Sequence, residues 1–483
     1  MQTWASISML LCIFGFFREL RPSEPFVTEF LTSDFRNITS EQLNRLVYPF
    51  GTYAVFAQLV LVFLLTDMLR YKPIIILSAC AGIALFAILL WTRKIWELLI
   101  GQIFYGTFMA SEVAYYTYIY AKVEKEHYQI VTGHTRAAIL SGRFLAGVLA
   151  QILISTESMN YRQLHYISFG LQVVSFFVSV TLPPVKQSVY FYRIEDKKDH
   201  GRELAINPSE PIKGTFAWRK AFKLLMKHAI SGYTNATVIK WSIWWLLATA
   251  GQLQVISYVQ ILWKEIKGSE SVYNGGVEAA ATLLGAGGAL AAGSMKFSCY
   301  KYAYNLIIIV GSLVMGSLLI ISSIVENVWL AYAMYVLFCV IFYFVITSAG
   351  ATIATQLCDD SFGLIFGINT FLALAAQSLL TLLVATDTLG FFLNLRSQYL
   401  IYVYSFCIVY GILWKTLYDE GILLLWVFLD TKTSLRVLSS ASERVKLLTS
   451  ISTSFSKSTS SLPPTSINSL EAISLRGNIS RRS

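Results

Sequence analysis

Two glutamates stand inside apolar runs that have no ordinary place for a charge. Glu112 lies in Ala110-Ser111-Glu112-Val113-Ala114-Tyr115-Tyr116, where its i, i+3 and i+4 spacing puts Glu112, Tyr115 and Tyr116 on one helical face. A carboxylate beside two aromatic rings suits a positively charged ring system, through ion pairing and cation–π contact. The competing use is a structural pair with an arginine such as Arg143. Glu24 lies in Arg21-Pro22-Ser23-Glu24-Pro25-Phe26, where two prolines remove backbone donors and interrupt a helix. At membrane depth, open backbone and a carboxylate are tolerated only where they line a cavity or are buried in protein. The alternative is a helix that ends before Arg21, with Glu24 in a loop.

Other polar residues in apolar surroundings form a second tier. Glu278 follows Tyr273-Asn274-Gly275-Gly276 and suits a structural or gating pair, as Arg143 does, or a substrate contact. Gln254 and Ser257 continue a polar stripe with Gln252 and Gln260, and Asn369 and Gln377 share a later apolar run. These side chains face a cavity or bind helix to helix. No nucleophile–base pair appears, and the five histidines lack ligand spacing, so neither an enzyme, a metal site nor a cofactor is expected.

The elements that position these residues are membrane helices. Of 483 residues, 55% are hydrophobic and only 14% are charged, against about a quarter charged in soluble domains. A charge at mid-bilayer costs roughly 2.5–3.5 kcal/mol on insertion scales, which explains why the charges gather between apolar runs. A spanning helix needs about 20 apolar residues. That length predicts spans near 4–31, 46–67, 73–91, 95–121, 129–154 and 161–182. A second set is predicted near 236–263, 274–296, 303–325, 328–355, 362–385 and 398–417. The expected organisation is a six-helix half over 1–182, a basic linker over 183–232, a second half over 233–420 and a Ser-rich tail over 421–483. The tail is too poor in apolar residues to fold alone.

The net charge of +10 resides largely in the linker and tail, so it marks sidedness and not a nucleic-acid partner. Basic loops favour the cytoplasm, which places both termini there and Asn37-Ile38-Thr39, a glycosylation acceptor, in the first external loop. Six plus six helices around a basic linker match the major facilitator superfamily fold, an all-α membrane bundle whose halves rock about a central site.

Several motifs in order carry a resemblance. They are Arg21 to Phe26, Leu65-Thr66-Asp67-Met68-Leu69-Arg70-Tyr71-Lys72-Pro73, Glu112 to Tyr120, His127-Tyr128-Gln129 and Trp244-Trp245 with Ala248-Thr249-Ala250-Gly251. Tyr273-Asn274-Gly275 with Glu278-Ala279, and Phe366-Gly367-Ile368-Asn369-Thr370-Phe371, complete them. Over about residues 10–417 the chain resembles solute carrier family 19, the reduced folate carrier and thiamine transporters. The resemblance implies a major facilitator bundle without enzymatic activity. Where folate carriers have Arg in span four, Lys in span eleven and Arg in span ten, this chain has Glu112, Gln377 and Cys339. Carboxylates without those cations favour a cation by Coulomb sign, and thiamine is the family's cation. Two positions depart from the thiamine subgroup: Gly51 replaces a Trp in span two, and Ser257 aligns with an Asn in span seven.

The expectation is a plasma-membrane thiamine carrier working by alternating access, with Glu24, Glu112, Tyr115, Tyr116, Gln254, Ser257, Asn369 and Gln377 around the substrate. Pyridoxine is a variant substrate. A folate carrier using Arg143 or Lys240, and a transport-inactive receptor or scaffold, are the alternatives.

Overall fold

The computed structural model describes residues 3–123, 127–185, 226–227, 229–267, 273–294, 301–356, 362–386, 391, 393–403 and 406. The basic linker lies largely outside these residues and the Ser-rich tail wholly so.

The described chain is helical throughout. Helices α1 (Thr3–Glu19), α2 (Tyr48–Met68), α3 (Lys72–Trp91), α4 (Ile95–Ala110), α5 (Glu112–Lys122), α6 (Tyr128–Ser155) and α7 (Tyr161–Thr181) form the first group. The second comprises α8 (Ala236–Lys267), α9 (Asn274–Ser294), α10 (Lys301–Ile324), α11 (Val328–Gln356) and α12 (Phe362–Val384), and a further helix begins at residue 395. Among the described residues, nine helices are long and apolar enough to cross a membrane, and they are α2, α3 and α6 to α12. They match nine of the twelve expected spans. The other three are the two interrupted spans and the one whose described part stops early.

Local chemistry sets the ends. Pro49 and Pro73 open α2 and α3 in the first turn, where a missing N–H costs nothing. Asn160 caps α7, its Oδ1 accepting from the Gln163 amide at 2.9 Å while Gln163 Oε1 accepts from the Asn160 amide at 2.8 Å. The tight link from α2 to α3 needs left-handed backbone at Arg70 (φ 60°) and Tyr71 (φ 66°).

Two spans are broken. The first stops at Glu19 and resumes as a turn at Glu24–Phe26 and a short helix at Val27–Leu31. Pro22 and Pro25 explain that break, as expected. The fourth, expected as one helix over 95–121, divides at Ser111 into α4 and α5. No proline or glycine stands at the division, and its cause is tertiary.

The two groups meet along two seams. Helix α6 packs on α9, and α2 on α12. At the α6–α9 seam a Cβ added at Gly147 would lie 2.6 Å from the Gly275 carbonyl oxygen, and one at Gly275 would lie 2.8 Å from that of Gly147. Only glycine lets the two backbones approach this closely. At the other seam Phe56 stacks on Phe371 with centroids 5.5 Å apart.

Candidate substrate site at the broken helices

The two breaks face each other across a cluster of six charges. The division at Ser111 releases the Phe108 carbonyl, which accepts from Arg18 Nη2 at 2.9 Å and from Ser78 Oγ at 3.2 Å. Ser111 Oγ in turn donates to the Thr107 carbonyl at 2.7 Å. The end of α1 is held the same way: Gln172 Nε2 donates to the Arg18 carbonyl at 3.0 Å, and the Ser23 amide donates to Ser168 Oγ at 3.1 Å. Helix α7 therefore positions the first break and α1 positions the second.

Glu19 is the hub. Its carboxylate accepts from Arg18 Nη1 at 2.6 Å, Arg143 Nε at 2.7 Å and Arg21 Nη2 at 3.0 Å. Arg18 and Arg21 also lie over the Phe108 ring, at 4.3 and 5.1 Å from its centroid. Glu24 pairs with Arg21 at 3.1 Å, and Glu112 stands 3.7 Å from Arg18. Three guanidiniums meet three carboxylates, so the cluster is neutral in formal charge. This corrects the sign argument drawn from sequence, which counted Glu24 and Glu112 without Arg18 and Arg21.

Exposure divides the cluster by role. The Glu19 side chain is 1% exposed, Glu24 is 47%, Arg143 38% and Glu112 23%. Buried charges persist only when paired and hydrogen-bonded, which Glu19 achieves three times over. Glu24, Glu112 and Arg143 keep part of their polar surface open.

The tyrosines separate too. Tyr115 is buried, its hydroxyl donates to the Leu11 carbonyl at 2.8 Å, and its ring packs on Phe14. Helical spacing placed it beside Glu112 correctly, but the ring turns into the core against α1 and does not line the site. Tyr116 is only partly buried and meets Tyr115 edge-on at 5.4 Å.

The second group's polar residues are bound mainly to other helices. Gln254 is buried and donates through Nε2 to Thr381 Oγ1 at 2.8 Å and the Gln377 carbonyl at 3.1 Å. Gln377 is buried beside it. Asn369 accepts from the Tyr233 hydroxyl at 2.8 Å and donates to Ser242 Oγ at 3.0 Å. Gln254, Gln377 and Asn369 thus hold α8 to α12 instead of meeting the charge cluster. Ser257 Oγ donates to its own helix, at the Leu253 carbonyl, 2.8 Å away. Glu278 accepts from the Tyr335 hydroxyl at 3.1 Å. Gly51 faces α4, where a Cβ would lie 3.3 Å from Gln102 Cδ, so any side chain there displaces Gln102. Asn37 is exposed, with φ 53°, beside Arg36, which is anchored to the Ile88 carbonyl at 2.8 Å.

A second feature was legible in the sequence only in part, since Gln260 stands in the polar stripe but its partners are distant in the chain. Gln260 of α8 brackets the first break: its Oε1 accepts from the Thr28 amide at 3.3 Å and its Nε2 donates to the Glu24 carbonyl at 3.0 Å. One turn on, Lys264 pairs with Glu29 at 2.9 Å and donates to Thr32 Oγ1. At the neighbouring seam the Gly276 amide donates to Gln151 Oε1 at 3.0 Å. Together these clasp the two groups at one end of the bundle. The available signal for the hub was Arg18-Glu19, opposite charges at the end of an apolar run just before a proline.

Helices broken opposite each other, with charges at the break, define a membrane carrier, and solved structures agree on the fold. The POT family transporter PepTSo superposes with a TM-score of 0.62 at 10% identity, covering 88% of this chain and 99% of its own. The nucleoside transporter NupG superposes at 0.57 and 11%, covering 85% and 99%. Both share the major facilitator architecture with this chain. The chain belongs to the reduced folate carrier family, which it matches over residues 2–401. It is 36% identical over 417 residues to folate transporter 1 of Caenorhabditis elegans, spanning 85% of this chain and 91% of the relative. It is 34% identical over 441 residues to human thiamine transporter 1, spanning 84% and 88%. Human thiamine transporter 2 is also 34% identical, over 446 residues, spanning 85% and 89%.

Proposed function

We propose that this protein is a vitamin carrier of the plasma membrane that takes up thiamine by alternating access. The observation that carries this reading is the pair Glu24 and Glu112, one at each helix break, each beside an arginine yet keeping exposed surface, with Tyr116 beside the second. A thiazolium ring held between two carboxylates and an aromatic face gains ion pairing and cation–π contact together. The names of the thiamine transporter relatives point the same way. In this reading the halves 1–182 and 233–420 rock about the cluster, and the linker 183–232, the tail 421–483 and both termini are cytoplasmic. Asn37 then lies outside and carries a glycan.

The experiment is uptake of radiolabelled thiamine by cells expressing the chain, with unlabelled thiamine, a reduced folate and pyridoxine as competitors. Saturable thiamine uptake above empty-vector cells is expected. Accumulation of the folate with no thiamine uptake would overturn the reading. A folate carrier is the second reading, favoured by the open guanidinium of Arg143 and by the similarity to folate transporter 1.

A further inference from the structure

Arg143 is oriented but not saturated. Its Nε is fixed on Glu19 Oε2 at 2.7 Å, which leaves the edge formed by its two Nη atoms. Among the described residues no hydrogen bond or ion pair engages that edge, and the side chain is 38% exposed. The other two arginines differ. Arg18 and Arg21 are buried, and each is engaged with Glu19 and a second partner, the Phe108 carbonyl for Arg18 and Glu24 for Arg21. Arg21 keeps an unpartnered Nε as well, but it is buried, so among the described residues Arg143 is the arginine of the cluster that presents unengaged donors at an exposed edge.

Its surroundings suit a ligand that carries both signs, because a tyrosine and the Glu112 carboxylate both stand near it. Tyr343 of α11 lies within electrostatic reach of Arg143, as does Glu112 of α5. Tyr343 belongs to the opposite helix group, and its hydroxyl makes no hydrogen bond among the described residues. A planar guanidinium edge matches the oxygens of a phosphate or carboxylate, and holding Nε on Glu19 removes much of the entropy cost of presenting it. Because the six charges sum to zero, the site repels neither a cation nor a ligand that carries both signs.

We infer that Arg143 is a specificity-determining residue that receives an anionic substituent on the substrate, so that the site accepts a cationic ring bearing a phosphate as well as the bare cation. The open carboxylates Glu24 and Glu112 hold the ring, and the Arg143 edge with Tyr343 holds the phosphate between the two helix groups. This rests on the thiamine reading and extends it to a second class of ligand.

The test is binding of radiolabelled thiamine to the purified full-length carrier in detergent, with phosphatase inhibitors present. Thiamine and thiamine monophosphate serve as unlabelled competitors. The wild type is expected to bind thiamine and to release it to both. In Arg143→Gln, competition by the monophosphate should weaken at least about tenfold more than competition by thiamine, the scale of one lost charge-assisted hydrogen bond. Arg143→Lys should recover part of the monophosphate effect, because it restores the charge without the fork. If wild type binds thiamine but a hundredfold excess of monophosphate does not displace it, this inference fails and the thiamine reading stands. Equal weakening of both competitors in Arg143→Gln also overturns it. If wild type binds no thiamine, both readings fall together.

Discussion

Glu19 and Arg143, 124 positions apart in the chain, meet at 2.7 Å and tie the broken end of α1 to the middle of α6. The same carboxylate holds Arg18 and Arg21. Removing it leaves three guanidiniums around an empty centre, a case in which breaking a buried pair costs about 3–5 kcal/mol. Glu19→Ala is therefore expected to lower the melting temperature of the purified carrier by more than Glu112→Ala does. Thermal scanning in detergent compares the two, and equal melting temperatures would contradict the hub.

The open carboxylates should behave in the opposite manner. Glu24→Gln and Glu112→Gln are each expected to weaken thiamine binding about tenfold or more, on the scale of a lost charge-assisted contact. Melting temperatures should move little, because both side chains are partly solvated. Binding isotherms with melting curves on the same preparations check this. Unchanged affinity in both variants would remove these residues from the site.

The clasp between Lys264 and the segment Glu29 to Thr32 has to part if that end of the bundle opens during transport. Cysteines introduced as Thr32→Cys and Lys264→Cys are expected to be bridged by a short bifunctional methanethiosulfonate, which spans the reach of the lost lysine, and to arrest uptake, with recovery on reduction. Uptake that continues in the fully cross-linked protein would show that this contact never opens.

At the α6–α9 seam, Gly147→Leu brings a side chain against the Gly275 carbonyl and the Ala279 backbone amide. Overpacking of this kind costs about 1–3 kcal/mol, and here neither backbone can yield without separating the two groups. Loss of uptake with a lowered melting temperature is expected. The control Gly287→Ala, where an added Cβ meets nothing within 4 Å, should leave both unchanged.

Most of the fold was legible in the sequence because bilayer length and apolarity act locally. The expected spans 73–91, 161–182 and 274–296 differ from α3, α7 and α9 by at most two residues at either end. The break at Pro22 was legible for the same reason, since proline removes a donor wherever it stands. The division at Ser111 was not, because the Phe108 carbonyl is captured by Arg18, 90 positions away. Glu24 and Glu112 could be found as charges in apolar runs. Their neutral balance could not, because it depends on which arginines fold against them. Asn369 and Gln254 looked like cavity residues, yet a buried amide needs partners, and α8 and α12 supply those to each other.

Gln260 reaches the first break through backbone alone, with the Glu24 carbonyl on one side of its amide and the Thr28 N–H on the other. Every residue type has that carbonyl, and every type but proline has that N–H. The contact between Gln260 and the break thus does not depend on which side chain stands at position 24. A relative with a different charge at position 24 could therefore keep the same bracket between these two helix groups.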